Sequence, residues 1–287
     1  MAPSVAVVAA GAMGSGIARL LTRNGVTVLT NLDGRSEATR RRAVEAGMQD
    51  APFAELRKCP FMLSILPPSD AHSLAERYVK EPGNETQDTV FVDANAVNPV
   101  TVKKIAALFT GTRVKFVDAG IIGGPPTDSG YNPTFYASAD DSGALASFEQ
   151  LSAFGLKISA LRDNEAGIGD ASALKMSYAG ITKGTTGLFT TMILAAYQAS
   201  PATAEALLKE LAASQPMLLG HMSTSIPRMV PKAYRWVAEM EEIGKFVGEP
   251  CGEIYRGMAK LYGRIDESRN GDGRDIENLQ EFCGRAK

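Results

Sequence analysis

The segment Ser4-Val-Ala-Val-Val-Ala-Ala10, followed by Gly11-Ala-Met-Gly14-Ser-Gly16, sets the expected fold. Its first half is a continuous run of small and β-branched apolar residues, which is typical of a parallel strand buried on both faces. A helix is predicted from the glycines to Arg23, and residues 26–30 form a second predicted strand. A strand, a glycine-rich turn, a helix and a strand in succession predict a dinucleotide-binding unit.

The glycine turn departs from the usual G-x-G-x-x-G pattern, because Ala9 stands at the position of the first glycine. A turn of this kind brings backbone close to a pyrophosphate, and the helix that follows presents its N–H groups and positive dipole end. We therefore predict a cofactor-binding turn at Gly11, Ala12, Met13 and Gly14.

The end of the second predicted strand selects the cofactor. An acid there would favour NAD by accepting hydrogen bonds from the ribose 2′-OH, but Asn31 holds this position. Arg35, Ser36 and Arg40 could bind a 2′-phosphate through charge-assisted hydrogen bonds, whereas Asp33 argues against one. NADP is favoured over NAD.

Strands and helices continue to alternate to residue 160, with a polar turn expected over residues 81–87. This alternation predicts the α/β class, with an N-terminal doubly wound, parallel-stranded Rossmann domain. Ligands bind such sheets at the carboxyl ends of the strands. The ends of the later strands add to the expected site Leu66, Pro67, Asn95 and residues 121–124.

The strand pattern stops at Gly167, and an all-α C-terminal domain led by a long helix is predicted. Residues 1–162 would form the Rossmann domain and residues 163–287 a helical substrate and dimerisation domain. The expected helices cover residues 170–200, 202–218, 232–246 and 250–265, with a polar loop over 266–274 and a frayed helix at the C-terminus.

Lys175 lies near the start of the long predicted helix, and Tyr178, Ala179 and Thr182 share its face at spacings of three, four and seven residues. A solvated surface is the usual place for a helix lysine, but small and apolar neighbours favour a functional role here. The three glycines further along the helix each cost about 1 kcal/mol of helix propensity relative to alanine. They predict close approach by another backbone or by a cofactor.

A second helical segment, residues 231–243, carries both apolar and charged faces. Trp236 and Met240 are one turn apart and predict a core contact. Arg235, Glu239 and Glu242 lie on another face and would form a solvated ladder of ion pairs. In the alternative interpretation, Tyr234, Trp236 or Glu239 lies over the substrate and faces Lys175.

The composition excludes several function classes. The chain has 287 residues and a formal net charge of -2, and its densest basic cluster is Arg40-Arg41-Arg42, so no nucleic-acid partner is expected. Arg41 and Arg42 are interpreted as a solvated helix face. The odd number of scattered cysteines and the two histidines predict neither disulfides nor a metal site. Without a signal peptide or an 18-residue apolar run, a cytoplasmic protein without a membrane partner is expected.

The order of these motifs resembles the β-hydroxyacid dehydrogenase superfamily, which includes 3-hydroxyisobutyrate dehydrogenase, tartronate semialdehyde reductase and 6-phosphogluconate dehydrogenase. The resemblance covers nearly the whole chain, and residues 231–243 look like a poorly characterised branch with a phosphogluconate-dehydrogenase-like C-terminal helical domain. Four segments match in order: the turn at residues 9–14, Leu66-Pro67, the loop at residues 118–124, and the helix at residues 167–184.

The resemblance implies an NAD(P)-dependent oxidoreductase that moves a hydride between the nicotinamide and a small carbonyl or hydroxy compound. Lys175 matches the catalytic lysine and would be the general acid/base. Tyr178 and Lys183 would orient the substrate or stabilise the oxyanion, and Asn95 would lie by the nicotinamide ribose or the substrate. The superfamily usually forms dimers, so a homodimer is expected.

The expected substrate site departs from the superfamily pattern. Ile122 stands for a loop serine, Ala179 for an asparagine and Thr182 for a glutamate acid, so the usual donors to a carboxylate are missing. The backbone of Gly123 and Gly124 could still donate N–H groups. Two alternatives stay open. One is an imine reductase on the same scaffold, disfavoured by Lys175, and the other is an NADP-binding sensor without turnover.

Overall fold

The structure is a computed structural model that describes residues 3–82, 88–163 and 165–286. The polar turn expected over residues 81–87 falls mostly outside the described residues. The chain divides into two units, Met1–Met176 and Ser177–Lys287, and each is described by itself. This division falls within a helix, whereas the sequence places the domain boundary after residue 162, before that helix begins.

An eight-stranded sheet in the order β3-β2-β1-β4-β5-β6-β7-β8 forms the centre of the first unit. The first six strands are parallel, which confirms the Rossmann architecture. The strands are β1 (Ser4–Val8), β2 (Thr27–Thr30), β3 (Gln49–Asp50), β4 (Phe61–Ser64), β5 (Thr89–Asp93), β6 (Val114–Ile122), β7 (Thr134–Ser138) and β8 (Lys157–Ala160).

Helices cover both faces of this sheet, as its apolar strands require. Along β1, Val5 and Val7 belong to one apolar core, while Ala6 and Val8 belong to a second core on the opposite face. The helices are α1 (Ala12–Arg23), α2 (Glu37–Glu45), α3 (Phe53–Leu56), α4 (Pro68–Lys80), α5 (Pro99–Ala107) and α6 (Ser142–Glu149), followed by a 3₁₀ turn at Gln150–Phe154.

The last two strands differ from the expected parallel arrangement. Strand β7 pairs antiparallel with β6, with Gly120 opposite Tyr136, and β8 then runs parallel to β7. The cause is the connection at residues 123–133, which contains no helix and reverses the chain beside β6. A crossover helix is what a parallel connection would need.

The long helix α7 (Asp170–Ala199) confirms the prediction of a leading helix that carries Lys175. Its later turns belong to the second unit, which is entirely helical over the residues that the structure describes. The other helices are α8 (Pro201–Ser214), α9 (Pro216–Met229), α10 (Ala233–Val247), α11 (Gly252–Asn270) and α12 (Arg274–Arg285), with a 3₁₀ turn at Val230–Lys232.

Two details of the helical prediction are wrong. The helix expected over residues 202–218 is two helices, because Pro216 cannot continue α8 and instead opens α9. The polar loop expected over residues 266–274 is mostly helix, since α11 runs to Asn270 with Ile265 and Ser268 buried.

The glycines of α7 make room for side chains of another helix, whereas the sequence predicted close approach by a backbone or a cofactor. An added Cβ at Gly187 would lie 3.0 Å from Tyr262 Oη, and one at Gly180 would lie 3.1 Å from Tyr255 Oη, both on α11. Of the helices formed by described residues, none is both long and apolar enough to cross a bilayer.

Candidate active site

The glycine turn after β1 exposes the start of α1. Gly11 is the N-terminal cap residue, and no side chain caps the helix within the described structure. The Ser15 N–H donates to Gly11 O at 2.9 Å, so the N–H groups before it have no acceptor inside the helix. An added Cβ at Gly14 would lie 1.9 Å from Ala9 O, so a side chain cannot fit there. This turn is suited to a phosphate group.

The tip of β2 is ordered by Asn31, which is 8% exposed. Its Nδ2 donates to Asp33 Oδ2 at 2.8 Å and to Ala51 O at 3.1 Å. Arg35 and Ser36 follow on the surface, and the Ser36 side chain accepts from the Thr39 N–H at the start of α2. Asn31 therefore shapes the loop, while the Arg35 and Ser36 side chains lie outside it.

Arg40 and Arg42 both turn inward from α2. Arg40 Nη2 donates to Leu32 O at 2.6 Å and so closes the loop after β2. Arg42 Nε donates to Ala10 O at 3.1 Å, in the glycine turn. The interpretation of Arg42 as part of a solvated face is therefore wrong, because α2 lies close enough to the turn for its guanidinium to reach it. Arg41 is exposed.

Asn95 joins the ends of β4 and β5. Its Oδ1 accepts from the Leu66 N–H at 2.5 Å, and its Nδ2 donates to Ser64 Oγ at 2.8 Å and to Asp93 Oδ1 at 2.9 Å. Because the side chain is 3% exposed and fully engaged, it holds the Leu66-Pro67 turn at the carboxyl edge of the sheet.

Lys175 is half-buried where α7 lies on β6. Its Nζ donates to Ile121 O at 2.6 Å, one residue before the end of that strand. The helix can lie this close because residue 120 is glycine. An added Cβ there would be 2.9 Å from both Ala171 O and Lys175 Cβ. The structure therefore places Lys175 at the carboxyl end of β6, which ends at Ile122.

The start of α7 is held by Asp118, which the sequence indicated only as part of a motif. Its carboxylate accepts from the N–H groups of Gly169 at 2.9 Å and Ser172 at 3.0 Å, and from Ser172 Oγ at 2.7 Å. Burial raises the pKa of Asp118 to about 6, against the opposing effect of these hydrogen bonds. Its place in a buried strand just before a glycine loop is the signal that could have identified it.

Asp93 is the neighbour of Asp118 across β5 and β6. Its Oδ1 accepts from the Asn95 N–H at 3.0 Å, and its Oδ2 has no hydrogen-bond partner among the described residues. Burial, together with the negative charge of Asp118, raises the pKa of Asp93 to about 7. Two buried carboxyl groups therefore share one site, and their protonation is coupled.

The loop after β6 makes its own contacts. Gly123 has a φ of 129°, and an added Cβ there would lie 2.2 Å from Tyr131 Oη. The Gly124 N–H donates to Tyr131 Oη at 3.2 Å. The two backbone groups predicted to face a substrate are thus packed against one tyrosine hydroxyl, which a ligand would have to displace from Gly124.

A second polar cluster lies in the helical unit. Lys183 on α7 forms a mostly buried ion pair with Glu239 on α10, and its Nζ lies 5.0 Å from the centre of the Trp236 ring. Tyr262 Oη donates to Lys183 O at 2.5 Å and packs edge-on against Trp236. Glu242 is buried and the Glu239 side chain is only 12% exposed, so the solvated ladder of ion pairs is wrong.

Three further predicted residues lie on α7 beyond the first unit. Tyr178 is 48% exposed, and Ala179 is buried. Thr182 Oγ1 donates to the backbone oxygen of Tyr178 at 2.9 Å, the usual bond of a helix threonine to the preceding turn. The predicted residues of the first unit thus lie at the glycine turn, the tip of β2, the Leu66-Pro67 turn held by Asn95, and the β6 edge with Lys175, while the Lys183 cluster lies in the helical unit.

The comparisons with known families agree with this architecture. The family model for the NAD binding domain of 6-phosphogluconate dehydrogenase matches residues 4–155. A domain of unknown function, DUF1932, matches residues 199–265. None of the curated proteins matches the sequence.

Solved structures extend the likeness along the chain. A conserved protein of unknown function, MTH1747, described as similar to 3-hydroxyacid dehydrogenases, is 25% identical with a TM-score of 0.67, covering 93% of this chain and 98% of its own. Mycobacterium tuberculosis 3-hydroxyisobutyrate dehydrogenase with L-serine is 12% identical with a TM-score of 0.64, covering 92% and 94%.

An Aspergillus terreus reductive aminase, in complex with NADPH and ethyl-5-oxohexanoate, is 17% identical with a TM-score of 0.56, covering 94% of this chain and 95% of its own. At these identities the last two structures show the fold alone. The match of residues 4–155 spans more than half of the chain and includes the glycine turn and β6. The chain therefore belongs to the β-hydroxyacid dehydrogenase superfamily, in the family defined by the NAD binding domain of 6-phosphogluconate dehydrogenase.

Proposed function

We propose that this protein is an NADP-dependent oxidoreductase acting on a small carbonyl or hydroxy compound, with Lys175 as its general acid/base. The observation that carries the proposal is the position of Lys175. Its Nζ is held against Ile121 O at the carboxyl end of β6, the edge at which such sheets bind ligands.

The residues of the first unit fit a nicotinamide dinucleotide. The start of α1 offers N–H groups to a pyrophosphate, and Gly14 allows α1 to pack closely against Ala9 in the turn before it. Exposed Arg35 and Ser36 at the tip of β2 would bind a 2′-phosphate. The NADPH bound to the reductive aminase of the same fold also supports NADP, whose role would be to donate or accept the hydride.

The proton that accompanies hydride transfer would be donated or accepted by Lys175. As the carbonyl carbon gains a hydride, negative charge develops on its oxygen, and the Lys175 ammonium donates a proton to that oxygen. In the oxidative direction the neutral amine accepts the hydroxyl proton. Positioned acid/base groups of this kind contribute about 10²–10⁴-fold to the rate.

Lys175→Met tests the mechanism, with Lys157→Met as the matched control, because Lys157 is an exposed lysine on β8. NADP⁺ with a panel of small hydroxy acids, and NADPH with the corresponding carbonyl compounds, are followed by the absorbance of reduced nicotinamide. We expect Lys175→Met to lower kcat about 10²–10⁴-fold with an unchanged Kd for NADPH. Equal rates in both variants would disprove the role of Lys175, and tighter binding of NAD⁺ than NADP⁺ would disprove the cofactor preference.

An imine reductase is the second candidate. Ile122 and Ala179 stand where the superfamily binds a substrate carboxylate, and an imine has no carboxylate to bind. The same assay, run on ketones with and without an added amine, separates the two, since only imine reduction depends on the amine. NADPH binding without turnover in any arm, and identical behaviour of wild type and Lys175→Met, would instead indicate a sensor.

We also propose a homodimer in which residues 163–287 provide the interface, and we retain this segment as the substrate and dimerisation domain. The outer face of α7 exposes Ile181, Leu188 and Met192, each more than half accessible. Exposed apolar stripes of this kind mark protein contacts. A monomeric mass in light scattering at micromolar concentration would contradict the dimer.

A further inference from the structure

The first turn of α7 is capped by buried side chains from the sheet. Asp118 on β6 accepts from the N–H groups of Gly169 and Ser172, and Ser138 on β7 accepts from the Ala171 N–H at 3.1 Å. Helix N-termini are normally capped by the residue just before them, but here the acceptor lies 51 residues earlier than Gly169. The cap is therefore a tertiary contact that fixes the helix on the sheet.

The same strand contacts α7 at two points. Asp118 binds Ser172, and three residues further along each element Ile121 O accepts from Lys175 Nζ. Between them Gly120 lets the helix rest directly on the strand. Since Ser172 and Lys175 are one turn apart on one helix face, a shift at the first contact moves the second.

We propose that Asp118 is a positioning residue for Lys175: its carboxylate fixes the start of α7 on β6 and thereby the location of the lysine amine. The proposal rests on the proposed function only in naming Lys175 as the group that transfers the proton. The contacts on which it depends lie entirely within the first unit.

The cap is strongest with an ionised carboxylate. Asp118 Oδ2 accepts from the N–H groups of Gly169 and Ser172, and Oδ1 accepts from Ser172 Oγ. Protonation at Oδ1 would reverse the bond with the Ser172 hydroxyl and leave a neutral Oδ2, which accepts less strongly from the two N–H groups. Asp93 faces Asp118 from β5, Ser138 from β7, and Ser172 from α7, with Lys175 one turn further along. Because burial raises the pKa of Asp118 to about 6, the cap weakens as the pH falls through that value.

Three variants separate positioning from simple stabilisation. Asp118→Asn removes the charge and keeps the size. Ser172→Ala removes one donor and keeps the charge, so it raises the pKa of Asp118. Asp141→Asn is the matched control, because Asp141 Oδ1 caps α6 in the same way, through Gly143 N at 2.7 Å and Ala144 N at 3.1 Å, but it is exposed.

We expect the wild-type rate to fall on the acid side near pH 6. Ser172→Ala should move this fall upward by about one to two pH units, the size of one hydrogen bond to a charged group. Asp118→Asn should abolish it and lower kcat by about 10–100-fold at pH 8, with an unchanged Kd for NADPH. Asp141→Asn should match wild type in both respects.

A readout without catalysis keeps the proposal separate from the proposed function. In protein with nitrogen-labelled lysine, the Nζ resonance of Lys175, assigned with Lys175→Met, should titrate near pH 6 in wild type, and near a higher pH in Ser172→Ala. If the resonance titrates so but no substrate is turned over, the proposed function fails and the positioning role stands. A Lys175 resonance that does not change with pH in either wild type or Ser172→Ala would overturn the proposal. Ser172→Ala keeps the charge of Asp118, so this test remains available if Asp118→Asn does not fold.

Discussion

Gly120→Ala adds one methyl group at the contact between β6 and α7. The new Cβ would lie 2.9 Å from Ala171 O and 2.9 Å from Lys175 Cβ. Neither atom can rotate away, because one belongs to the backbone and the other is fixed to it. Favourable contacts need about 3.5–4.0 Å, so the helix must move away from the strand by roughly 0.5–1 Å.

The cost of this displacement follows from its size. Overpacking of this kind destabilises a core by about 1–3 kcal/mol, which lowers Tm by roughly 2–12 °C at about 2–4 °C per kcal/mol. The same movement carries Lys175 with it. A misplacement of about 1 Å can lower the rate about 100-fold, so kcat should fall more than stability alone would explain.

Thermal unfolding by circular dichroism and kcat with NADPH measure the two effects. Gly124→Ala is the matched control for thermal unfolding alone, because Gly124 lies in the candidate substrate loop, and kcat is compared with wild type. An added Cβ at Gly124 meets nothing within 4 Å, so this variant carries the same change in the unfolded chain without the clash. If Gly120→Ala melts with Gly124→Ala and turns over like wild type, α7 does not lie on β6 as described.

Two further variants probe the buried charges. Burial raises the pKa of Asp93 from an ordinary value of 3.8 to about 7. Between these two pH values the folded protein holds a proton that the unfolded chain releases, so the free energy of unfolding should fall as the pH rises from about 4 to 7. Asp93→Asn should flatten this slope in urea titrations, and an unchanged slope would count against the assignment. Glu239→Gln removes the carboxylate that pairs with Lys183 and should cost about 3 kcal/mol, with Lys183→Met/Glu239→Gln less destabilised than the sum of its single variants. Strict additivity in that cycle would contradict a coupled pair.

The local part of this fold can be predicted from the sequence, because strand and helix periodicity are properties of short segments. The run at β1, the glycine turn and the long helix with Lys175 all follow from such patterns. Strand direction cannot be predicted from such patterns. Strand β7 runs antiparallel because of how the chain returns to β6, and the residues of Thr134–Ser138 do not themselves indicate this direction.

The candidate site divides in the same way. Residues that would bind a ligand through backbone or strand position can be predicted, as at the turn around Gly14 and the edge near Ile121. The partners of residues that act through other residues cannot be predicted in this way, because they are distant in sequence. Asp118 meets Ser172, and Lys183 meets Glu239, only after folding. From the sequence alone, Asp118 was only part of a matched motif, and Lys183 and Glu239 were assigned separate roles at the surface or the substrate.

The bond from Arg42 to Ala10 O bears on any attempt to exchange the cofactor by redesign. Basic residues after β2 are the obvious positions to change when converting an NADP enzyme to NAD. Arg42, however, supports the turn that would bind the pyrophosphate, a group present in both cofactors, so replacing it should weaken both without discriminating between them. Arg35 is exposed on the loop after β2 and is the position where selectivity can change separately from affinity, whereas the Ser36 side chain also caps α2, the helix that carries Arg42.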